Sequence, residues 1–243
     1  MLLLGCAVPA ARAADIAPGL GPVDRRAPLP LDRPPWTALV RVQTELGERC
    51  TGFLVAPQVV VTAAHCLFLP RVRRFIQPSS VHVLVGYGAG RYRAHARVAR
   101  FTIPAGYQPL DEAATAGMDR AVLVLERPVV PVADAVPAAP APAMRPVPVR
   151  LGGYGQDRDE IAVADPACRL TGQAADGQGR PLLAHDCEAT RGTSGAPLLW
   201  QQPDGRWVAI GIQIAATAGR AGGIAVPLDP PAAAIPSDRS SGR

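Results

Sequence analysis

The stretch CTGFLVAPQVVVTAAHC, residues 50–66, places a titratable histidine at the end of an apolar, β-branched run. Val and Ala dominate its second half, a composition typical of a buried strand. His65 then stands directly before Cys66, and Cys50 begins the stretch. Taken alone, the histidine fits a core position beside a structural cysteine. Its role therefore depends on what the rest of the chain supplies.

The composition of the 243-residue chain favours short strands over a helical bundle. It is 48% hydrophobic and 5% aromatic, with 24 glycines and 27 prolines. Such a mixture is typical of many strands joined by turns, in one large β domain or two small ones. All basic residues are arginine, and the net charge is +5. The densest basic cluster, residues 71–74, lacks interleaved aromatics, so we expect a solvated loop and no nucleic-acid partner.

Short apolar runs begin at Trp36 and recur at strand spacing on both sides of a Pro/Ala-rich segment. No amphipathic helical stretch of 12 residues stands out. The pattern predicts an all-β chain in two halves, residues 36–130 and 148–230, joined by a linker at 131–147. Residues 15–35 form a Pro-rich N-terminal arm, and residues 231–243 form a disordered tail.

The first 14 residues are typical of a signal peptide. A short apolar core leads to an A-x-A-like cleavage site at residues 11–13 and is too short to span a bilayer. The stretch lacks the basic n-region of a signal peptide, which is expected if the signal peptide starts upstream of Met1. Residues 3–6 also resemble a bacterial lipobox, which makes a lipid anchor at Cys6 the alternative. Both interpretations predict a secreted or periplasmic protein without a membrane span.

Four cysteines remain once Cys6 is set aside: Cys50, Cys66, Cys168 and Cys187. They allow three disulfide connectivities. Pairing within each half would close two loops of about 15 to 20 residues, each worth roughly 3 kcal/mol in the chain-entropy model. A zinc site is the rival interpretation, but the spacings differ from C-x₂₋₄-C pairs. We therefore expect no metal and no other cofactor.

Three stretches carry the residue types that acyl transfer needs: VTAAHC with His65, GMDRAVLVLERP with Asp119, and CEATRGTSGAPLL with Ser194. The reaction requires a hydroxyl nucleophile, an imidazole base, a carboxylate that orients the imidazole, and backbone donors for an oxyanion. Gly192 and Gly195 permit a strained turn that exposes the serine. Each feature alone fits a structural role, but their order is one of the known triad orders.

On these motifs, the chain resembles a trypsin/chymotrypsin-like serine endopeptidase of the secreted bacterial branch that includes the glutamyl (V8-like) endopeptidases. TAAHC resembles the histidine signature, DRAVLVLERP the aspartate strand, and DCEATRGTSGAPLL the nucleophile segment, within residues 34–230. The resemblance implies two six-stranded antiparallel β-barrels with the active site between them. His65 would be the general base, Asp119 would orient it, and Ser194 would be the nucleophile. The amides of Gly192 and Ser194 would form the oxyanion hole of a monomeric enzyme acting on polypeptides.

The resemblance also bears on the cysteines and on activation. Cys50 and Cys66 match the bridge that braces the histidine in that family, and we expect Cys168 to pair with Cys187. Thr193 stands where many members have Asp, Asn or Ser, and no Ile-Val-Gly-Gly-like start occurs between residues 14 and 40. We therefore expect maturation by signal removal, alone or with trimming of the arm. Thr193, Arg191 and the apolar wall at Ile214 leave a catalytically weak envelope binding module as the alternative function.

The resemblance implies a substrate pocket formed by Glu188, Ala189, Thr190, Gln213, Ile214 and Ala215. Glu188 holds the position at which trypsin-type members read a basic P1 side chain. Gln213 replaces the histidine of glutamyl endopeptidases and cannot supply a positive charge. Ile214, Ala215 and Ala216 indicate a partly apolar, shallow site. At this point three classes of P1 residue remain possible. In decreasing order of preference they are basic, small or apolar, and acidic residues.

Overall fold

The computed structural model describes residues 17–228, except residues 144 and 159. The signal-peptide, lipid-anchor and tail predictions lie outside the described residues, as do the last two residues of the rear half. Within the described part, strands dominate, and the helical segments are at most four residues long. No helix in this part of the chain has the length and apolar character needed to cross a bilayer.

Among the described residues, the arm contains one strand, β1 (Ala27–Pro28), and the front half contains eight: β2 (Leu39–Thr44), β3 (Arg49–Ala56), β4 (Val59–Thr62), β5 (Phe68–Leu69), β6 (Arg74–Phe75), β7 (Val81–Val85), β8 (Ala94–Thr102) and β9 (Ala121–Leu125). Six of them close into an antiparallel barrel in the order β2-β3-β4-β9-β8-β7. β7 alternates buried and half-exposed residues, as expected for a strand with one face on the core. β4 is buried along its whole length, which explains its unbroken apolar sequence.

The part of the rear half that the structure describes contains six strands: β10 (Val147–Gly153), β11 (Val163–Ala175), β12 (Pro181–His185), β13 (Pro197–Gln201), β14 (Trp207–Ala216) and β15 (Gly223–Pro227). They pair in the order β11-β10-β13-β14-β15-β12, and a further β11–β12 pairing closes the second barrel. β1, from the N-terminal arm, adds to the outer edge of β11. The expected all-β architecture of two six-stranded antiparallel barrels is therefore confirmed.

The helical segments are single turns that connect strands. They comprise α1 (Glu112–Thr115) and 3₁₀ turns at Trp36–Ala38, Ala64–Leu67, Pro78–Ser80, Ala116–Met118, Val132–Asp134 and Gln156–Arg158. The turn at Val132–Asp134 lies in the Pro/Ala-rich segment, and Ala138 of that segment bridges to Ala209 of β14. The linker thus runs along the surface of the second barrel before β10 begins at Val147.

One apolar cluster extends across the junction of the two barrels. Phe53, Leu54 and Leu123 of the first barrel belong to the same cluster as Leu199 and Ile212 of the second. All five side chains are fully buried. The interface between the barrels is therefore packed like a core, which holds the segments that meet there in fixed positions.

Candidate active site

His65 lies on the 3₁₀ turn that follows β4, at the junction of the barrels. The flanking residues Ala64 and Cys66 are buried, while the imidazole of His65 is partly exposed. Cys66 is bonded to Cys50 of β3, with a Cα–Cα distance of 6.2 Å. The disulfide therefore ties the turn to the neighbouring strand and holds the histidine at the edge of the barrel.

Asp119 ends the short helical segment that precedes β9. The carboxylate of Asp111 caps α1 by accepting the amide of Ala114 at 3.4 Å, and a 3₁₀ turn then leads into Asp119. Asp119 is 5% exposed. Its Oδ1 accepts the backbone N–H of His65 at 2.9 Å, and its Oδ2 accepts the Nδ1–H at 2.6 Å. The bond to the ring places the proton on Nδ1 and leaves Nε2 as the basic nitrogen, while the bond to the backbone fixes the position of the turn.

The same carboxylate tunes the basicity of the ring. Burial lowers the pKa of His65, but the hydrogen bond and the negative charge of Asp119 outweigh burial, and the net shift is upward. A raised pKa makes Nε2 a better proton acceptor at neutral pH. His65 therefore combines the tautomer and the basicity of a general base.

Ser194 lies in a tight turn between two glycines in the left-handed region, Gly192 at φ +91° and Gly195 at φ +85°. A Cβ atom at Gly195 would lie 2.1 Å from the carbonyl oxygen of Thr51 and 2.2 Å from Oγ1 of Thr62. Only glycine fits this close approach. Ser194 itself is partly exposed, whereas its neighbours on both sides are buried.

Thr51 fastens this turn to the first barrel, and the sequence did not reveal its role. The N–H of Thr51 donates to the carbonyl oxygen of Ser194 at 2.9 Å, and its Oγ1 donates to the carbonyl oxygen of Gly192 at 2.9 Å. Its Oγ1 also accepts the N–H of Tyr154 at 2.9 Å. The Sγ of Cys66 lies 3.9 Å from the same Ser194 oxygen. Ser194 and His65 are thus brought to the same junction.

The backbone amides around Ser194 alternate between bonded and free. Thr193 donates to Thr190 and Gly195 donates to Gln213. Within the residues that the structure describes, the amides of Gly192 and Ser194 donate no hydrogen bond. These two N–H groups are the ones expected to form an oxyanion hole.

The peptide before Gly192 has a defined orientation. The carbonyl oxygen of Arg191 accepts the N–H of Gln156 at 2.7 Å. Because a trans peptide points its C=O and N–H in opposite directions, this bond turns the Gly192 amide away from Gln156. Gln156 was not among the residues expected from the sequence.

Three residues expected in the substrate pocket make internal contacts. Glu188 is 2% exposed and accepts amides of the N-terminal arm, and Thr190 bonds to Asp157 and Arg26. Gln213 is 3% exposed and bonds to His185. Ala189 is also buried, whereas Ile214 and Ala215 are more accessible.

A cavity of about 240 Å³ adjoins the His–Asp pair. Its lining includes Asp119, Ile214 and Ala215 together with Tyr107, Glu112, Ala113 and Ala116. Ile214 and Ala215 therefore border the cleft beside the catalytic candidates. Tyr107 and the residues of α1 were not expected from the sequence, because nothing in their local pattern indicates that α1 packs over the cleft.

The cysteine residues that could offer thiolates to a metal are paired with each other. Cys50 bonds to Cys66 and Cys168 bonds to Cys187, the latter with a Cα–Cα distance of 4.7 Å. Both candidate ligand clusters of the described residues contain one of these pairs, with His65 or Asp186 as the third member. Cysteine binds a metal ion as a thiolate, and a disulfide sulfur does not supply one.

Two closed antiparallel barrels with a hydrogen-bonded His–Asp pair and a glycine-flanked serine at their junction define the chymotrypsin-like class of serine peptidases. The family comparison agrees with this class. A family model, the trypsin-like peptidase domain, matches residues 50–210, which is more than half of the chain, and the chain belongs to that family. The expectation of a trypsin/chymotrypsin-like serine endopeptidase is therefore confirmed.

Among solved structures, the chain is similar to a Glu endopeptidase determined in complex with MPD. The TM-score is 0.69 and the sequence identity is 18%, over 86% of this chain and 94% of the other. At this identity the likeness establishes the shared fold and carries no information on substrate preference. The comparison with curated proteins gives no match.

Proposed function

We propose that the chain is a secreted or periplasmic serine endopeptidase that hydrolyses peptide bonds through His65, Asp119 and Ser194. The observation that carries this proposal is the pair of hydrogen bonds from His65 to Asp119, at 2.6 and 2.9 Å, beside the serine turn fastened by Thr51. The disulfides and the signal-like first 14 residues support export from the cytosol. We also propose that the enzyme is a monomer.

In the proposed mechanism, Oγ of Ser194 attacks the carbonyl carbon of the scissile peptide and its proton moves to Nε2 of His65. Asp119 stabilises the imidazolium that forms. The amides of Gly192 and Ser194 donate to the oxyanion of the tetrahedral intermediate. His65 then gives the proton to the leaving amine, which leaves an acyl ester on Ser194. Water, deprotonated by His65, hydrolyses the ester and restores the serine.

Replacement of the nucleophile tests this function. We expect Ser194→Ala to lower kcat by about 10⁶-fold, because no other group can form the ester. Ser79→Ala, at an exposed serine of the Pro78–Ser80 turn, is the matched control and should keep full activity. The measurement is hydrolysis of a denatured protein substrate, with circular dichroism to show that both variants are folded. Unchanged hydrolysis by Ser194→Ala would refute the assignment.

A fluorophosphonate probe separates this function from the alternative, a catalytically weak homologue that serves as a binding module. Only an activated serine reacts readily with the probe. We expect stoichiometric labelling of Ser194 in the native protein and none in Ser194→Ala. A folded native protein without labelling would support the binding module. Mass spectrometry of the mature N-terminus tests the proposed signal cleavage against a lipid anchor at Cys6.

A further inference from the structure

Residues 17–28 of the N-terminal arm, which we call the N-terminal latch, pack against the second barrel beside the expected substrate pocket. β1 anchors the end of the latch through its pairing with β11. The role of the latch in the selectivity of the site rests on the proposed peptidase function.

Gly19 of the latch lies between two segments of the expected substrate pocket, one containing Ala189 and the other running from Ile214 to Thr217. We call this pocket S1, because it would receive the P1 side chain of the substrate. Its N–H donates to the carbonyl oxygen of Thr217 at 2.8 Å, and its carbonyl oxygen accepts the N–H of Ala189 at 3.1 Å. A Cβ atom at Gly19 would lie 1.9 Å from the Ala189 oxygen and 2.9 Å from the Ala216 Cβ. The backbone of the latch therefore occupies the space between the walls.

The carboxylate of Glu188 is engaged by the latch rather than by solvent. Its Oε1 accepts the N–H of Gly21 at 2.9 Å, and its Oε2 accepts the N–H of Arg25 at 2.6 Å. The Nε of Arg25 also lies 3.6 Å from Oε2. Both oxygens and the negative charge are thus compensated within the protein, so a P1 arginine or lysine would have to displace the latch to reach them.

On the other side of the latch, Arg26 holds Thr190. The side chain of Arg26 is 2% exposed, and its guanidinium donates to Oγ1 of Thr190 at 3.2 Å and to Oδ2 of Asp157 at 2.5 Å. The hydroxyl of Thr190 in turn donates to Asp157. Asp157 follows Gln156, which orients the peptide before Gly192. The latch therefore joins the pocket wall to the loop that orients the oxyanion amides.

The remaining polar side chain of the expected pocket is also satisfied internally. Oε1 of Gln213 accepts the Nε2–H of His185 at 2.6 Å, and Nε2 of Gln213 donates to the carbonyl oxygen of Ala215 at 2.9 Å. Burial lowers the pKa of His185 to about 4 despite its bond to Gln213. The imidazole is therefore neutral at physiological pH and offers no positive charge to an acidic P1 side chain.

We propose that the latch closes the floor of the S1 pocket and makes the enzyme selective for small, uncharged P1 residues such as alanine. Glu188, Ala189 and Gln213 are each at most 3% exposed, whereas a pocket deep enough for a long P1 side chain would expose them. What stays accessible is the rim formed by Ile214, Ala215 and Ala216. The mature enzyme must then retain the latch, so trimming of the arm has to stop before Gly19.

The native protein provides the first test. Fluorogenic peptides that differ only at P1, with Ala, Val, Phe, Arg or Glu, are compared by kcat/KM. We expect Ala to exceed Arg and Glu by at least about tenfold, because a charged group entering this site finds no partner. A preference for Arg, Glu or Phe would overturn the proposal.

Glu188→Gln distinguishes two roles of Glu188: anchoring the latch, or binding the basic P1 side chain of a substrate. As an anchor, Glu188 holds the latch for every substrate, so the variant should lower kcat/KM for P1 Ala and P1 Arg by the same factor and should lower the Tm. As a reader, it would leave P1 Ala unchanged while P1 Arg lost activity. The second result would refute the role assigned to the latch.

Gly19→Ala tests the position of the latch directly. The substitution places a methyl group against Ala189 and Ala216, so we expect KM for the P1 Ala peptide to rise at least about tenfold. Gly205→Ala is the matched control, because Gly205 has φ +86° against +83° for Gly19 and a Cβ there meets nothing within 4 Å. Equal effects of the two substitutions on KM would contradict the proposal. Should Gly19→Ala fail to fold, the P1 profile of the native protein still decides.

The fluorophosphonate probe separates this proposal from the function on which it rests. A native protein that is not labelled would refute the peptidase function itself. A protein that is labelled and prefers a charged P1 residue would keep that function and overturn only the closed pocket.

Discussion

At the scale of single residues, the candidate site depends on hydrogen bonds that hold His65 and the turn of Ser194 in place. Asp119 binds both the backbone and the ring of His65. Thr51 binds the turn of Ser194 on both sides of the serine. Each of these residues donates or accepts at least two hydrogen bonds in a buried environment, where an unsatisfied group is costly.

Asp119→Asn should lower kcat by about 10⁴-fold, because an amide no longer fixes the productive tautomer of His65. The pH profile should also change. The base must be neutral, so kcat/KM falls as the pH drops through the pKa of His65, which Asp119 raises above its ordinary value of 6.5. Removing the negative charge lowers that pKa, and the acid limb of kcat/KM should move to lower pH. An acid limb that stayed in place or moved upward would contradict the electrostatic role.

Thr51→Val should reduce both stability and kcat. The substitution leaves the carbonyl oxygen of Gly192 and the N–H of Tyr154 without their partner, at about 1–3 kcal/mol for each buried group. Thr51→Ser keeps the hydroxyl and should retain nearly all of kcat. Urea unfolding and steady-state kinetics measure the two effects. Full kcat in Thr51→Val would show that the hydroxyl does not hold the serine turn.

At the scale of elements, a loop of the second barrel supports the helical segment that carries Asp119. Asp176, between β11 and β12, accepts the N–H of Gly117 at 2.9 Å, and Arg180 donates to the carbonyl oxygen of Ala114 at 2.5 Å. The N–H of Gly177 also donates to Ala113 at 2.9 Å. Asp119 is therefore positioned by both barrels.

Asp176→Asn should lower the Tm at neutral pH and reduce the acid dependence of stability. Burial raises the pKa of Asp176, but the amides of Arg180, Gly117 and Gln178 and the Arg180 guanidinium outweigh it, and the pKa falls from 3.8 to about 2. A depressed pKa contributes stability above pH 4 that is lost as the pH falls towards 2. The variant should therefore show a shallower fall of the Tm over this window.

Asp204→Asn is the control for this experiment. Asp204 pairs with Arg206 at the same 2.7 Å N–O distance as Asp176 with Arg180, but both side chains of the surface pair are more than half exposed. Exposed pairs contribute little to stability, so the Tm of this variant should match the wild type at neutral pH. Equal Tm losses in the two variants would contradict a special role for the Asp176 loop.

At the scale of the whole molecule, the two barrels share an apolar cluster and several polar contacts. Tyr154 illustrates both, since it is 2% exposed in the cluster and its hydroxyl donates to the carbonyl oxygen of Tyr87 at 3.2 Å. Neither barrel can separate without exposing this surface to water.

The barrels should therefore unfold in one cooperative transition. We expect the calorimetric and van't Hoff enthalpies to agree, and the loss of activity to coincide with the loss of far-UV circular dichroism. The active-site serine should first be blocked in the calorimetry samples, because unfolded chains would otherwise be cleaved. Two resolved transitions would show that the shared cluster does not couple the barrels.

Much of the architecture follows from local sequence patterns. Several barrel strands, such as β4, β7 and β9, lie within apolar, β-branched runs bounded by turn residues, because a strand buried on one or both faces needs such runs. The two-residue strands β1, β5 and β6 were not predicted, since segments of that length carry no periodicity. The assignment of 36–130 and 148–230 as two structural units stays a prediction, with β10 beginning at Val147.

The sequence by itself determined the all-β class, the family motifs around His65, Asp119 and Ser194, and the candidate set for the substrate pocket. Only the tertiary structure revealed that Thr51 fastens the serine turn and that Glu188 is bonded to the N-terminal latch. The reason is distance along the chain. Thr51 and Gly192 are 141 residues apart, and Gly21 and Glu188 are 167 residues apart. Local patterns encode which face of a strand is buried, whereas such contacts exist only after both barrels have closed.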